Sequence, residues 1–370
     1  MGRTVHVLSL FARAHGSNRE LMICISSSMC GLFGLLRSPL AAHPERASEA
    51  FVTLGILAEE RGRDSAGVAL LNGRPVLQAA GRSRTAHGRE DDRRSDLSHT
   101  GVRVIKGRGR FSGIWRADLL DRLDRSPIAM GHTRWATQGS PFDLLNASPL
   151  VVPDGTGSGI VATHNGDVEA GSLRARHPLL PPAQGTTDSE PVFQLLAGCR
   201  GTANVTGVLG SLVGRAALAW VDRARPDRVH LARAALSPLT VAVDTEQNFY
   251  WASNPRWLRE VERHTKVRFA SAVMLREGTY LQVGLTAASS RRRPRPRVLT
   301  RAGFVPTARD WDLDDRVWTG FTAADMARDR ATLRHRVIDT RTPRPVPDTR
   351  PAPDTVAAAT PVSPGLAPAI

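Results

Sequence analysis

The chain has 370 residues, with 50 Lys+Arg against 35 Asp+Glu and a formal net charge of +15. Only Lys106 and Lys266 are lysines, so the other 48 cations are arginines. With 41% hydrophobic and 23% charged residues the composition excludes a wholly disordered chain and allows a sizeable core. No apolar run reaches the roughly 18 residues that a membrane-spanning helix needs. The arginine bias has two readings: a polyanion-binding surface, or a coding bias that places arginine wherever any cation is tolerated. Cys24, Cys30 and Cys199 are an odd count with no repeating spacing, which indicates neither a disulfide framework nor a zinc module. A reducing, cytoplasmic setting is the expectation.

Residues 1–29 carry Arg3, Arg13 and Arg19 around a short apolar stretch, end in Ser26, Ser27 and Ser28, and meet a second methionine at Met29. The stretch is too short for a secretory leader. From Cys30 the texture becomes that of a buried strand with glycine punctuation. A helix is expected over Glu45 to Arg61, with Ala50, Phe51, Leu54, Leu57 and Ala58 at helical spacing. Gly67 to Leu71 reads as a strand, which the turn Asn72-Gly73 would close into a hairpin with Pro75 to Leu77. Residues 81–110 hold eight arginines and Lys106 against four acids, and read as a solvated loop. Beyond Ile128, short strands such as Ile160 to Ala162, Ala216 to Trp220 and Thr240 to Val243 surround one clear helix, Ser189 to Leu196. This pattern predicts a sheet-rich, layered domain of helices and strands. The end of the chain, with fifteen arginines and nine aspartates in 291–370 and eight prolines in 341–370, reads as largely disordered. One short helix is expected there, near 322–337.

Four segments carry candidate chemistry. Cys30 sits in Met29-Cys30-Gly31-Leu32-Phe33-Gly34; a cysteine in such a strand is most often a small buried hydrophobe. Were Cys30 the mature amino terminus, its thiol would share a residue with an α-amine whose pKa lies near 8, a nucleophile and a base together. Arg61-Gly62-Arg63-Asp64-Ser65-Ala66-Gly67 follows the first helix, and a helix-capping glycine with a tight turn accounts for much of it. In Gly131-His132-Thr133-Arg134-Trp135-Ala136-Thr137 the arginine fork fits an α-carboxylate and Thr137 adds a hydroxyl. In Thr163-His164-Asn165-Gly166 the Asn-Gly pair reads either as a turn or as an oxyanion hole.

Together with the later Thr187-Asp188-Ser189-Glu190, these segments stand in an order that resembles the class II glutamine amidotransferases, whose glutaminase domain has the N-terminal-nucleophile (Ntn) hydrolase fold. The Thr-Arg-Trp-Ala-Thr form looks closest to the glucosamine-6-phosphate synthase branch. The resemblance covers about Cys30 to Val283 and implies an α+β, four-layer αββα sandwich, with domain bounds of 30–285, an N-terminal segment 1–29 that is an over-called start or a removable propeptide, and a tail over 286–370. It implies Cys30 as nucleophile, Asn165 and Gly166 as oxyanion hole, Arg134 and Thr137 on the glutamine carboxylate, and Asp188 on its ammonium. Arg61, Asp64 and Trp135 would support them. The reaction implied is hydrolysis of L-glutamine through a Cys30 thioester, with no metal or cofactor, and ammonia passed to a separately encoded synthase.

Departures from the family pattern fall at Ser148, in Asn146-Ala147-Ser148-Pro149 where a histidine is usual, and at Asp167 to Ala170 after His-Asn-Gly. Two alternatives stay open: an Ntn-fold hydrolase of another γ-glutamyl amide, and a degenerate domain that binds a polyanion through its arginines. No membrane partner is expected. Nucleic acid binding has only the charge in its favour, because no aromatic interleaving or nucleic-acid motif accompanies it.

Overall fold

The computed structural model describes residues 30–72, 94–99, 101–155, 158–286, 294–309 and 337–338. The first half of the chain runs β1 (Gly31–Leu36), α1 (Pro44–Ala58), β2 (Ser65–Leu71), β3 (Arg94–His99), β4 (Val102–Arg108), α2 (Phe111–Ile114), α3 (Leu120–Arg125) and β5 (Ile128–Arg134). The second half runs β6 (Leu150–Val152), β7 (Ile160–Val168), α4 (Ala170–Arg176), α5 (Ser189–Gly198), α6 (Thr202–Gly210), β8 (Gly214–Asp222) and β9 (Arg228–Arg233). It continues through β10 (Thr240–Asp244), β11 (Phe249–Ala252), α7 (Pro255–His264), β12 (Phe269–Met274), β13 (Thr279–Thr286), β14 (Arg295–Gly303), β15 (Ala308–Arg309) and β16 (Val337–Ile338).

Two antiparallel sheets form, ordered β12-β10-β11-β1-β5-β2-β4-β3 and β14-β13-β9-β8-β7-β6. Side-chain alternation along each strand decides the layering. In β1, Phe33 and Leu35 join the cluster under α1 and α7, whereas Leu32 and Leu36 join the cluster that also holds Val161, Ala217, Ala219 and Leu231 of the second sheet. The opposite face of that second sheet, with Ile160, Leu218 and Trp220, packs against Val192, Phe193 and Leu196 of α5 and Val205 and Leu209 of α6. Three apolar seams between four layers give the αββα sandwich expected from the sequence. A strand such as β1 is buried throughout because both of its faces are covered.

Several expectations are corrected. Asn72 does not lead into a hairpin on β2: one edge of β2 pairs with β4 and the other with β5, so no edge is left for a third partner. Residues 75–77 lie outside the described residues. The basic stretch 81–110 is not only loop, because Val102, Val104 and Ile105 are buried in β4 while Arg103 alternates outward to Asp96. Net charge concealed a period-two pattern. The segment after residue 285 contributes β14, which pairs with β13 from Thr286↔Arg295 to Thr279↔Gly303. The sheet therefore runs past the boundary expected there, and the alternating arginines of β14 sit on its edge strand, where charge blocks further pairing. The helix expected near 322–337 lies outside the described residues, except that Val337 and Ile338 form β16 against Ala308 and Arg309. No helix among the described residues is long and apolar enough to cross a membrane.

Candidate active site

Cys30 immediately precedes β1 and lies buried at the end of the first sheet, its Sγ donating to the Trp135 carbonyl at 3.5 Å. Burial pushes its thiol up to about 11; the Trp135 carbonyl and the Arg134 and Arg61 cations offset that only in part. The thiol is therefore protonated at neutral pH, and nucleophilic attack requires a base. Arg134 ends β5, and its guanidinium donates to the carbonyls of Gln138, Gly139 and Ser140. One cation thus collects the loop that follows it.

The loop between α1 and β2 supports this corner from behind. Asp64 accepts the Ala136 amide at 2.7 Å, and its own amide donates to the Arg134 carbonyl at 3.0 Å. Gly62 is not the left-handed helix cap expected: α1 closes at Glu59, and Gly62 instead lies flat on β5. A Cβ at Gly62 would stand 2.5 Å from the Thr133 carbonyl carbon. Arg61 donates to the Ser253 carbonyl at 3.3 Å, and the Ser253 hydroxyl meets both the Leu32 amide at 2.8 Å and the Asn165 side-chain amide at 3.3 Å. Ser253 thereby joins β1, β7 and Arg61 although no sequence pattern marks it.

Asn165 and Gly166 are not a turn but the middle of β7, in register with Ala217 and Ala216. Gly166 has φ +153, and a Cβ there would lie 2.0 Å from the Arg215 carbonyl oxygen. Asp188 stands just before α5, accepts the Val168 amide at 2.9 Å and lies 3.9 Å from His164 Nδ1. Burial raises its pKa above the usual carboxylate value, against the pull of His164. His132 is also buried, and its Nε2 donates to the His164 carbonyl at 2.8 Å. Its Nδ1 has no partner, so a proton there would be unsatisfied, and desolvation holds this imidazole down to about 3.

Cys30, Arg134, Trp135, Thr137, Gly166 and Asp188 line one cleft, together with Gln138, Asn146, Ser148 and Thr187. The Asn165 side chain is directed at Ser253 rather than into that cleft. The cleft has a volume of about 20 Å³, room for about one water. A larger cavity of about 560 Å³ lies between α5 and the outer face of the second sheet, lined by Trp220, His230, Tyr280 and Cys199. Its one thiol, Cys199 just after α5, donates back to the Leu195 carbonyl at 3.4 Å, whereas the thiol, guanidinium and carboxylate picked out by the sequence motifs meet in the cleft at Cys30, so chemistry and not size selects that cleft. Sequence reasoning missed Gln138 and Ser253 as members of this corner, and named Asn146 only within the segment that departs from the family pattern at Ser148. Asn146 accepts the Thr186 amide at 2.7 Å and donates to the Ser140 carbonyl at 3.2 Å, joining the loop after Arg134 to the loop before Asp188.

The fold is matched in a solved structure. Glutamine phosphoribosylpyrophosphate amidotransferase from B. subtilis superposes with a TM-score of 0.50 at 16% identity, over 77% of this chain and 52% of that one, a likeness of fold. In sequence, the chain is 32% identical over 173 residues to mouse amidophosphoribosyltransferase, which spans 45% of this chain and 28% of that protein. It is 31% identical over 245 residues to glutamine–fructose-6-phosphate aminotransferase (isomerizing) of Pseudomonas syringae pv. tomato, or 63% of this chain and 33% of that protein. The chain is a relative of the class II glutamine amidotransferases. It has their Ntn-hydrolase fold and spans about a third or less of the length of these curated relatives. No family model matches it.

Proposed function

We propose that this domain, like the class II glutamine amidotransferases it resembles, hydrolyses the side-chain amide of L-glutamine. The observation that carries the reading is the convergence of one buried thiol, one guanidinium and one buried carboxylate, Cys30, Arg134 and Asp188, on a single cleft. A free amino acid has a fixed anion and a fixed cation at its head, and Arg134 with Thr137 would hold the first while Asp188 holds the second. Cys30 Sγ then adds to the amide carbon. The Gly166 N–H and the Asn165 side-chain amide, once it turns from Ser253 toward the cleft, are the donors assigned to the oxyanion. The thiol proton passes through the base to the leaving nitrogen, the C–N bond breaks, and ammonia departs. Water adds to the thioester, releasing glutamate and restoring the thiol.

The base assigned is the α-amine of Cys30, which requires that residues 1–29 be absent from the active protein. The small cleft adds a second requirement: the loop after Arg134 has to shift before glutamine enters. Arg61, Asp64 and Trp135 act by holding that corner in place. Ammonia is the second product of this reaction, and we assign its acceptor to a separate synthase. A reducing, cytoplasmic setting is in keeping with Cys30 and Cys199, both free thiols.

The test is release of glutamate and ammonia from glutamine by the wild-type protein and by Cys30→Ala, with intact-mass measurement of the active species. Loss of turnover in Cys30→Ala and an active mass beginning at Cys30 are expected. Equal turnover by Cys30→Ala would refute the assigned nucleophile, and full activity with residues 1–29 retained would refute the assigned base.

A further inference from the structure

The residue after Gly166 departs from the family pattern, and it sits at the centre of a connection that the reaction scheme does not use. Asp167 lies in β7 and is 5% exposed. One of its carboxylate oxygens, Oδ1, accepts from Gln138 Nε2 at 2.7 Å, and the other, Oδ2, lies 3.2 Å from Arg309 Nη2. The same Arg309 nitrogen donates to the Asp167 carbonyl at 3.0 Å. Arg309 is itself only 3% exposed. It arrives from outside both large sheets, on β15, whose approach is fixed where the Gly214 amide donates to the Thr307 carbonyl at 3.0 Å.

A second feature shows that this approach is built in. Gly214 has φ +116, and a Cβ there would stand 2.4 Å from the Asp167 carbonyl oxygen and 3.1 Å from Arg309 Nη2. Only glycine leaves that passage open. Gln138, at the other end of the connection, belongs to the loop that Arg134 gathers by its carbonyls, and Gln138 itself is exposed. The loop is thus held from two sides, at its carbonyls by Arg134 and at the Gln138 side chain by Asp167. A buried carboxylate is unfavourable without its paired cation, so Arg309 sets whether Asp167 stays in place to hold Gln138.

We propose that Arg309, Asp167 and Gln138 form a latch that keeps the loop 135–140 closed over Cys30, making Arg309 and Asp167 positioning residues for substrate entry. The proposal rests on the glutaminase reading only for the identity of the substrate; the latch itself is a statement about access to Cys30. It places control of the site in a segment remote in sequence from every catalytic motif. Release of Arg309 from Asp167 opens the loop.

The test uses the full chain with Gln138→Ala, Gln138→Glu, Arg309→Ala and Arg309→Lys, read in two ways. The first is KM against kcat for glutamine. The second is the rate at which iodoacetamide, a small neutral alkylator that needs no carboxylate clamp, modifies Cys30, followed by peptide mass so that other cysteines do not count. Because the closed cleft has no room for glutamine, Gln138→Ala is expected to lower KM about tenfold with kcat changed less than threefold, and to speed Cys30 alkylation about tenfold. Gln138→Glu, which sets a carboxylate against Asp167, is expected to shift both further than Gln138→Ala, and Arg309→Lys to recover part of the closure that Arg309→Ala loses. Should Arg309→Ala fail to fold, the two Gln138 variants, at an exposed position, still decide. Alkylation and KM within twofold of wild type in both Gln138 variants would overturn the latch. Absence of glutamine turnover in the wild-type protein would instead overturn the glutaminase reading, while the alkylation rates still report on the latch.

Discussion

At the scale of single residues, burial decides the chemistry of the site more than charge does. Cys30 lies near two guanidinium groups, yet desolvation dominates and holds its thiol near 11. Arg61 beside it is pulled down by desolvation to about 10 and remains a cation at neutral pH. Arg134 differs from the many surface arginines of this chain in using its fork: three carbonyls of one loop share its donors. A lysine there would offer a point charge in place of a planar fork. Arg134→Lys is therefore expected to raise KM for glutamine by about ten- to a hundredfold, the equivalent of about 1.5–3 kcal/mol of charge-assisted hydrogen bonding. Steady-state kinetics across a glutamine series checks this, and an unchanged KM would remove Arg134 from the clamp. The resemblance in sequence placed Arg134, Cys30, Thr137, Gly166 and Asp188, and all five line one cleft. Gln138 and Ser253 were not legible, because their partners lie 29 and 88 or more positions away and nothing local marks them.

At the scale of elements, the site depends on where one strand ends and another begins. The loop between α1 and β2 lies flat on β5, and Gly62 is the point of closest approach. Gly62→Ala places a methyl group against main chain that cannot yield, so we expect about 2–4 kcal/mol of destabilisation. Urea denaturation compared with a control such as Gly171→Ala, which meets open space, checks it. A Gly62→Ala protein as stable as the control would show that the loop moves freely. The sequence read Gly62 as a helix cap because glycine after a helix is most often that. Close approach between residues 62 and 133 is a tertiary fact, and glycine looks the same in both settings. The hairpin expected at Asn72 failed for a related reason: an Asn-Gly turn signal says that the chain reverses, not which strand takes the free edge.

At the scale of the whole molecule, two seams of the sandwich carry consequences. His132 is enclosed between the sheets near β7, and its pKa falls from the ordinary 6.5 to about 3 through desolvation. Between those values the unfolded chain binds a proton that the folded protein refuses, so stability is full above about pH 6.5 and declines as pH falls toward 3. At pH 5 this one histidine costs about 2 kcal/mol. Urea unfolding of wild type and His132→Gln at pH 7.5, 6 and 5 checks it: the wild-type slope should be steeper, and equal slopes would count against the assignment. The second seam is the edge at β14. A chain ended at residue 286 exposes the free edge of β13, and is expected to unfold several degrees below the full chain and to aggregate on heating. Thermal unfolding equal to that of the full chain would place the domain boundary back at 285.

The sequence by itself carried a sheet-rich, layered domain and, through its resemblance to a known family, the αββα architecture, the assignment of Cys30 and the order of the binding motifs. The first is written as local apolar periodicity, the rest as contiguous runs of chemically specific residues. It also showed that the excess of arginine falls mainly outside the motifs, at +6 in residues 291–370 and +5 in 81–110. Only the tertiary structure decided that part of that excess belongs to strands, β4 and β14. Only it brought Ser253 to Asn165, and Arg309 to Asp167 across 142 positions. The physical reason is the same in each case. A side chain's partner is chosen by which backbone passes beside it after the sheets close, and a polar residue alone in sequence carries no mark of the charge it will meet.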